Sequence, residues 1–227
     1  MKNYAVALDG PAGSGKSTIA KRVARKKQLL YIDTGAMYRA VAQFCIQNGI
    51  DTQKEAAVVE ALPHIQIDVI AKEDGQRILL NGEDVTEKVR SQAAGKGASD
   101  VAVMLDVRET LTKMQRELAK GNSVIMDGRD IGTNVLPDAQ VKIYLDAKVE
   151  VRAERRCKEL RELGQEADFE TVKLQIEQRD AADKNRKYNP LRKAEDAIEI
   201  DSSYMTMEEV ENMVCSIIEK KIQEKRG

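Results

Sequence analysis

The 227-residue chain contains three cysteines and a single histidine. Cys45, Cys157 and Cys215 fall in no metal-ligand spacing. Their odd number argues against a disulfide framework, so they read as reduced, buried filler in a reducing compartment. His64 has no partner of the kind that zinc sites or histidine-based nucleophilic catalysis require, and it reads as structural. Long apolar runs are also missing: the opening MKNYAVALDG is apolar only from Tyr4 to Leu8. That is too short for a signal-peptide core or a membrane span, and the expected location is the cytoplasm. Excess charge of either sign is absent too, since 37 basic residues face 38 acidic ones for a formal charge of -1. No net field draws the chain to nucleic acid or an anionic membrane, so any basic site must be local. An N-K-x-D guanine-reading element does not occur, which argues against a GTPase switch.

What remains is ample for a core, at 42% apolar composition with no repeat or low-complexity tract. Tyr4–Leu8 reads as a short buried strand, Ile19–Lys27 as a helix and Leu29–Ile32 as a second strand. A helical segment follows, for which Thr34 is the expected N-cap. From Ile65 the period changes to two, with turn residues at Asp74–Gly75 and Asn81–Gly82, so roughly 63–90 reads as an antiparallel β insert. Val101–Lys120 reads as one helix, and Ser123–Met126, Val141–Leu145 and Ala197–Ile200 as further strands. The last helix opens on a capping box, Thr206 with Glu209, and its tail EKKIQEKRG reads as solvated and frayed. The predicted fold is α/β, with a central parallel sheet flanked by helices in three layers. The core spans 1–62 and 91–227, with a helical lid at about 150–167.

The run GPAGSGKST fits G-x-x-x-x-G-K-[ST] at Gly10, Gly15, Lys16 and Ser17, between a strand and a helix. Glycines let backbone N–H groups converge on a triphosphate, and the helix N-terminus adds partial positive charge. Lys16 reaches the transferring phosphate and Ser17 is placed to ligate Mg²⁺. Nothing in the loop names the acceptor. That has to come from the arginines: Val172, Ile176, Arg179, Asp183 and Arg186 share one helix face, so an apolar stripe runs directly into charge. A solvated helix would explain charges facing away from the core, but these continue the buried face, which favours a lined cleft. Asp127-Gly128-Arg129-Asp130 follows a strand at the edge where α/β sheets bind ligands. Arg152, Arg155, Arg156 and Arg161 suggest a lid that stabilises the transferring phosphoryl group and excludes water. Many arginines without a catalytic histidine suit an acceptor that is itself a phosphate, already anionic and needing alignment rather than a base.

With these residues assembled, the chain resembles the bacterial cytidylate kinase family in its long form over nearly its whole length. The motifs are GPAGSGKST, DTGAMYRAV from Asp33, DGRDIGTNVLPDA from Asp127, and RD..D.NR...PL with A.DAI.ID between Arg179 and Asp201. The resemblance implies transfer of the ATP γ-phosphate to CMP or dCMP with Mg²⁺, by a monomer needing no protein partner. It assigns the ATP site to Gly10, Pro11, Ala12, Gly13, Ser14, Gly15, Lys16, Ser17 and Thr18, with Arg155 and Arg156 as lid arginines alongside Arg152. Ser17 is the implied metal ligand. Thr34, Arg39, Arg129 and Arg186 would surround the acceptor phosphate, Ser99, Arg108 and Asp130 would read cytosine, and Arg179 and Asp183 would hold the sugar end. Lys16, Arg129, Arg179 and Arg186 form the implied catalytic set. The insert corresponds to an enlarged monophosphate-binding region. Kinases of UMP or of a small metabolite such as shikimate, and a non-catalytic nucleotide-binding switch, are the competing readings.

Overall fold

The structure is a computed structural model that describes residues 3–72, 75–162 and 164–224. The chain begins with β1 (Ala5–Asp9), α1 (Lys16–Lys27), β2 (Leu30–Asp33), α2 (Thr34–Gln47) and α3 (Glu55–Ala61). The insert follows as β3 (Ile67–Lys72), β4 (Gly75–Leu80) and β5 (Glu83–Asp84). Next come α4 (Gln92–Val101), α5 (Leu105–Ala119), β6 (Val124–Gly128), a single π-helical turn at Ile131–Val135, and β7 (Val141–Asp146). The chain closes with α6 (Val149–Glu162), α7 (Phe169–Asn185), β8 (Ile198–Asp201) and α8 (Met207–Glu224).

Five strands form one sheet in the order β2-β6-β1-β7-β8, and every pairing is parallel. A parallel sheet must be covered on both faces, and the alternation along its strands shows how. In β1, Val6 and Leu8 point into one core with Ile19, Val23, Val210 and Val214 of α1 and α8. Ala7 points into the other, with Met37, Val41, Val107 and Leu111 of α2 and α5. A third, smaller cluster of Ala153, Cys157, Val172 and Ile176 joins α6 to α7. All three cysteines are buried and unpaired, as filler should be.

The insert forms its own antiparallel sheet, β3-β4-β5, turning between β4 and β5 at Asn81–Gly82, where both residues have positive φ. The turn expected at Asp74–Gly75 lies in part outside the described residues.

Three expectations are corrected. The helix expected at Val101–Lys120 starts later, at Leu105, because Met104 is extended at φ -80 and ψ 128, and a separate helix, α4, which is not among the elements expected from the sequence, precedes it and ends at Val101. No glycine or proline marks the break between them. The N-cap of α2 is Asp33, whose carboxylate accepts from the Ala36 amide at 2.9 Å, while Thr34 is already helical and its hydroxyl donates elsewhere. The C-terminal tail is helical through Glu224, held in part by the contact of Lys27 with Glu219, and 225–227 lie outside the described residues. The capping box forms as read: Glu209 N donates to Thr206 Oγ1 and Thr206 N to Glu209 Oε2.

Helices α2 and α4 approach closely at Gly97, where an added Cβ would sit 2.9 Å from Ala42 Cβ and 3.1 Å from Thr52 Cγ2. Gly97→Val therefore overpacks this seam and lowers stability by about 1–3 kcal/mol in urea unfolding. Gly95→Ala, two residues away with open space around it, is neutral or gains up to about 1 kcal/mol from helix propensity. Equal losses in the two variants would place the packing constraint elsewhere.

Candidate functional site

Strand β1 ends at Asp9, beside Gly128 of β6 and Tyr144 of β7. The chain then folds back into α1. At Gly10 (φ 152) a Cβ would lie 2.1 Å from the Leu145 carbonyl oxygen, so only glycine lets the loop pass beside β7. Gly15, left-handed at φ 88, caps α1 without a side chain, which leaves the first-turn amides of α1 for a ligand. The Lys16 side chain folds over its own loop, donating to Pro11 O at 2.5 Å and Ser14 Oγ at 3.2 Å. Burial pushes the Lys16 ammonium down to about 7, and repulsion from Arg129 and Arg179 acts in the same direction.

The strand ends bring three carboxylates to the same edge of the sheet. Asp127 accepts from Ser17 Oγ at 2.6 Å and from Tyr31 Oη at 2.9 Å, and burial together with Asp33 raises it to about 6. Asp33 pairs with Arg39 at 3.0 Å, and the Thr34 hydroxyl donates to the Asp127 carbonyl at 2.7 Å. Asp9, 4% exposed, accepts from the Ile131 and Gly132 amides at 2.8 and 2.7 Å; burial nevertheless raises it to about 6.

Arginines occupy the next layer. Arg129 donates to Asp183 at 2.8 Å, and Arg186, just past the end of α7, reaches Asp130 at 3.2 Å and Asp183 at 3.7 Å. Arg108 comes from α5 to Asp130 at 2.6 Å, with its guanidinium 5.6 Å from the Tyr38 ring centre. Asn134 adds a third donor to Asp130 at 3.0 Å. Arg179 stands apart. Surrounding protein desolvates its guanidinium, Arg129 and Arg39 repel it, and its pKa falls to about 10, while its side chain stays open to solvent and charged. Among the described residues, neither Lys16 nor Arg179 has an ion-pair partner. A cavity of about 310 Å³ is lined by Asp33, Ala36 and Arg39 together with Gln76, Ile78 and Thr86, and the Asp33 amide donates to Gln76 Oε1 at 3.1 Å, so the insert forms part of its wall.

Lys16, Ser17, Thr34, Arg39, Arg108, Arg129, Asp130, Arg179, Asp183 and Arg186 thus belong to one connected network of hydrogen bonds, ion pairs and facing charges at the carboxyl edge of the sheet. Other expected site residues lie outside it. Ser99 is on the exposed face of α4, its hydroxyl donating to Gly95 O at 3.4 Å. Arg155 on α6 is bound to Ser202, and Arg156 pairs with Glu159 one turn along the same helix. Arg152, grouped with them from sequence, is buried against the glycine loop instead. Asp9, Tyr31, Tyr38, Asn134 and Asp180 join these residues without having been assigned a role from the sequence; Tyr38, Asn134 and Asp180 stand inside the quoted motifs, and Asp9 and Tyr31 do not.

Among the described residues no cluster of three or more histidine, cysteine or carboxylate side chains has the geometry to hold a metal by itself. The Ser17 hydroxyl and Asp127 carboxylate, 2.6 Å apart, are hard oxygen donors of the kind Mg²⁺ takes in ones or twos, completing its shell with phosphates and water.

A glycine loop between a parallel strand and a helix, a buried lysine and an arginine-lined cleft at the strand ends together define a P-loop phosphotransferase. The family model for cytidylate kinase matches residues 6–220, and the chain belongs to the cytidylate kinase family. It is 46% identical over 223 residues to a cytidylate kinase from Bacillus licheniformis, covering 98% of this chain and 99% of that one. It is 48% identical over 222 residues to a cytidylate kinase from Caldicellulosiruptor saccharolyticus, covering 98% of each. A solved structure of an uncharacterized protein from Eubacterium ventriosum superposes with a TM-score of 0.53 at 14% identity, covering 96% of this chain and 99% of that one, which supports the fold alone.

The buried Asp9 gives a pH signature. A carboxyl whose native pKa lies above its unfolded value favours the native state when protonated, so its contribution is present below about 4 and lost as pH rises through about 6. Asp9→Asn removes the titration, so the variant gains on the wild type by about 2–3 kcal/mol between pH 4 and 7.5. Urea unfolding of both proteins across that range measures the change, and a constant difference would contradict it.

Proposed function

We propose that the protein is a cytidylate kinase that transfers the γ-phosphate of ATP to CMP or dCMP, giving ADP and CDP or dCDP. The observation that carries this reading is the uneven charge of the cleft. At one end Arg108 and Arg186 both pair with Asp130, so each cation there has a carboxylate partner beside the place of an uncharged base. At the other, Lys16 and Arg179 have no ion-pair partner among the described residues; desolvation lowers both and the neighbouring cations add to it, a deficit that bound phosphates would relieve.

In this reading the glycine loop and the first-turn amides of α1 hold the donor phosphates, and Lys16 leaves Pro11 O for the transferring group. An oxygen of the acceptor phosphate attacks the γ-phosphorus as the bond to the bridging β–γ oxygen breaks. The acceptor is already anionic, so no residue has to remove a proton. Arg129, Arg179 and Arg186 neutralise charge on the two phosphates and align them, with Thr34 and Arg39 on the acceptor side. Mg²⁺ would be held by Ser17 with Asp127 beside it and would neutralise phosphate charge. Arg155 and Arg156 would join the donor phosphates only when α6 closes over them. Ser99 would reach the base from α4. Residues 63–90 act as the monophosphate-binding insert and about 150–167 as the lid, in a cytoplasmic monomer.

Base choice falls to Asp130. A carboxylate has about four acceptor sites, of which Arg108, Arg186 and Asn134 occupy three. The fourth accepts from the exocyclic amino group of cytosine, whereas uracil presents an oxygen there and leaves both acceptors unpaired.

Initial rates of ADP release with CMP, dCMP, UMP, AMP and GMP test the reading. Cytidine nucleotides should exceed UMP by about a hundredfold or more in kcat/KM, and equal or better use of AMP would refute the assignment. Lys16→Met should lose phosphoryl transfer by about a thousandfold or more. Asp130→Asn should narrow the CMP:UMP ratio to about tenfold. Asparagine is the informative substitution, because alanine would leave two buried arginines unpaired at a cost of about 3–5 kcal/mol.

A further inference from the structure

We propose that Asp180 and Arg152 are positioning residues that set the Lys16 ammonium through a single peptide of the glycine loop. The inference rests on the reading of that loop as the donor-phosphate site. Asp180 Oδ1, from α7, accepts from the Ala12 amide at 3.1 Å. The carbonyl on the other side of that same peptide is Pro11 O, which accepts from Lys16 Nζ at 2.5 Å. A peptide is planar, with its N–H and C=O pointing in opposite directions, so the direction of one fixes the direction of the other. Asp180 therefore aims the carbonyl that holds the lysine.

Arg152 completes the clamp from α6. Its Nη1 donates to Ala12 O at 2.9 Å and to Asp180 Oδ2 at 2.6 Å, and its Nε donates to Ala147 O at 2.8 Å. Both peptides that flank the Ala12 Cα are thus held by one ion pair drawn from α6 and α7. The pair is buried, with Arg152 6% and Asp180 7% exposed, so its geometry is fixed rather than averaged over a solvated ensemble. Packing supports the same contact, since a Cβ on Gly13 would lie 3.4 Å from Arg152 Cβ. Neither residue reaches the arginine–carboxylate end of the cleft, where Arg108, Asp130 and Arg186 make their own pairs. The Asp180 charge also reaches Arg129 and Arg179 through space, so it is the hydrogen-bond geometry of the clamp, which Asp180→Asn keeps without the charge, that acts on the donor side.

The test combines binding of a fluorescent ATP analogue, calorimetry with CMP, and steady-state kinetics on wild type, Asp180→Ala, Asp180→Asn and Arg152→Lys. Asp180→Ala should lower kcat/KM for ATP by about tenfold or more, with the CMP dissociation constant within about twofold of wild type. Asp180→Asn keeps an oxygen for the Ala12 amide and should recover to within about threefold of wild type. Arg152→Lys, which cannot span Ala12 O and Ala147 O together, should lose about fivefold for ATP and nothing for CMP. Equal losses for ATP and CMP, a lowered thermal midpoint with kinetics intact, or Asp180→Asn no better than Asp180→Ala would each overturn the proposal. If Asp180→Ala does not fold, Arg152→Lys decides, and an unchanged kcat/KM for ATP overturns it. Failure of the wild type to bind the ATP analogue would instead sink the reading of the loop, which separates the two failures.

Discussion

Positive charge is concentrated at the carboxyl edge of the sheet beyond what the nearby carboxylates can neutralise, and the surrounding architecture exists to hold it there. Like charges removed from water repel strongly, and the buried, depressed Lys16 records that cost. The protein tolerates it because each neighbouring cation is anchored: Arg39 on Asp33, Arg129 on Asp183, and Arg108 and Arg186 on Asp130. Those anchors fix the guanidinium groups before a ligand arrives. An incoming phosphate then meets preset charge and does not have to order flexible arginines, which is where much of the cost of recognising an anion otherwise lies.

The scaffold that makes this possible is the central strand. Because β1 lies between β6 and β7, its end delivers the glycine loop between the loop that carries Arg129 and Asp130 and the start of α6. The fit at Gly10 against Leu145 is the tightest point of that arrangement. Asp9 contributes from below, pinning the π-helical turn through two amides and so fixing the segment that carries Asn134. Burial of an ionised carboxyl here is a structural expense accepted in order to hold the strand end and the turn together.

What the sequence made legible is what local chemistry dictates. The glycine loop, the strands with their buried alternation, the capping box at Thr206 and the Asn81–Gly82 turn all depend on residues within a few positions of one another. Contacts between distant segments were not legible. Asp180 and Ala12 are 168 positions apart, Asp9 and Gly132 are 123 apart, and neither pairing leaves a periodic trace. Arg152 was grouped with Arg155 and Arg156 because all three lie in one basic run, yet Arg152 sits in the first turn of α6 against the loop, while Arg156, a turn further along the same face, reaches solvent. The start of α5 was misplaced for a related reason: Ala102, Val103 and Met104 continue the helical pattern, and nothing local marks the extended Met104 that opens the helix. Asp33 and Thr34 are both good capping residues, and only the length of β2 decides between them.

Helices α6 and α7 share a small apolar cluster of their own, separate from the two that sandwich the sheet, and each of the three clusters contains one cysteine. Cys157 lies between α6 and α7, whereas Cys45 and Cys215 belong to the main cores. Opening of the α6–α7 pair would expose the first thiol without disturbing the other two, because its shielding depends on only a handful of neighbouring side chains. The protein therefore carries a built-in clock: the rate at which Cys157 is alkylated reports how often the two helices part, and the slower reaction of Cys45 and Cys215 marks the time of whole-molecule unfolding.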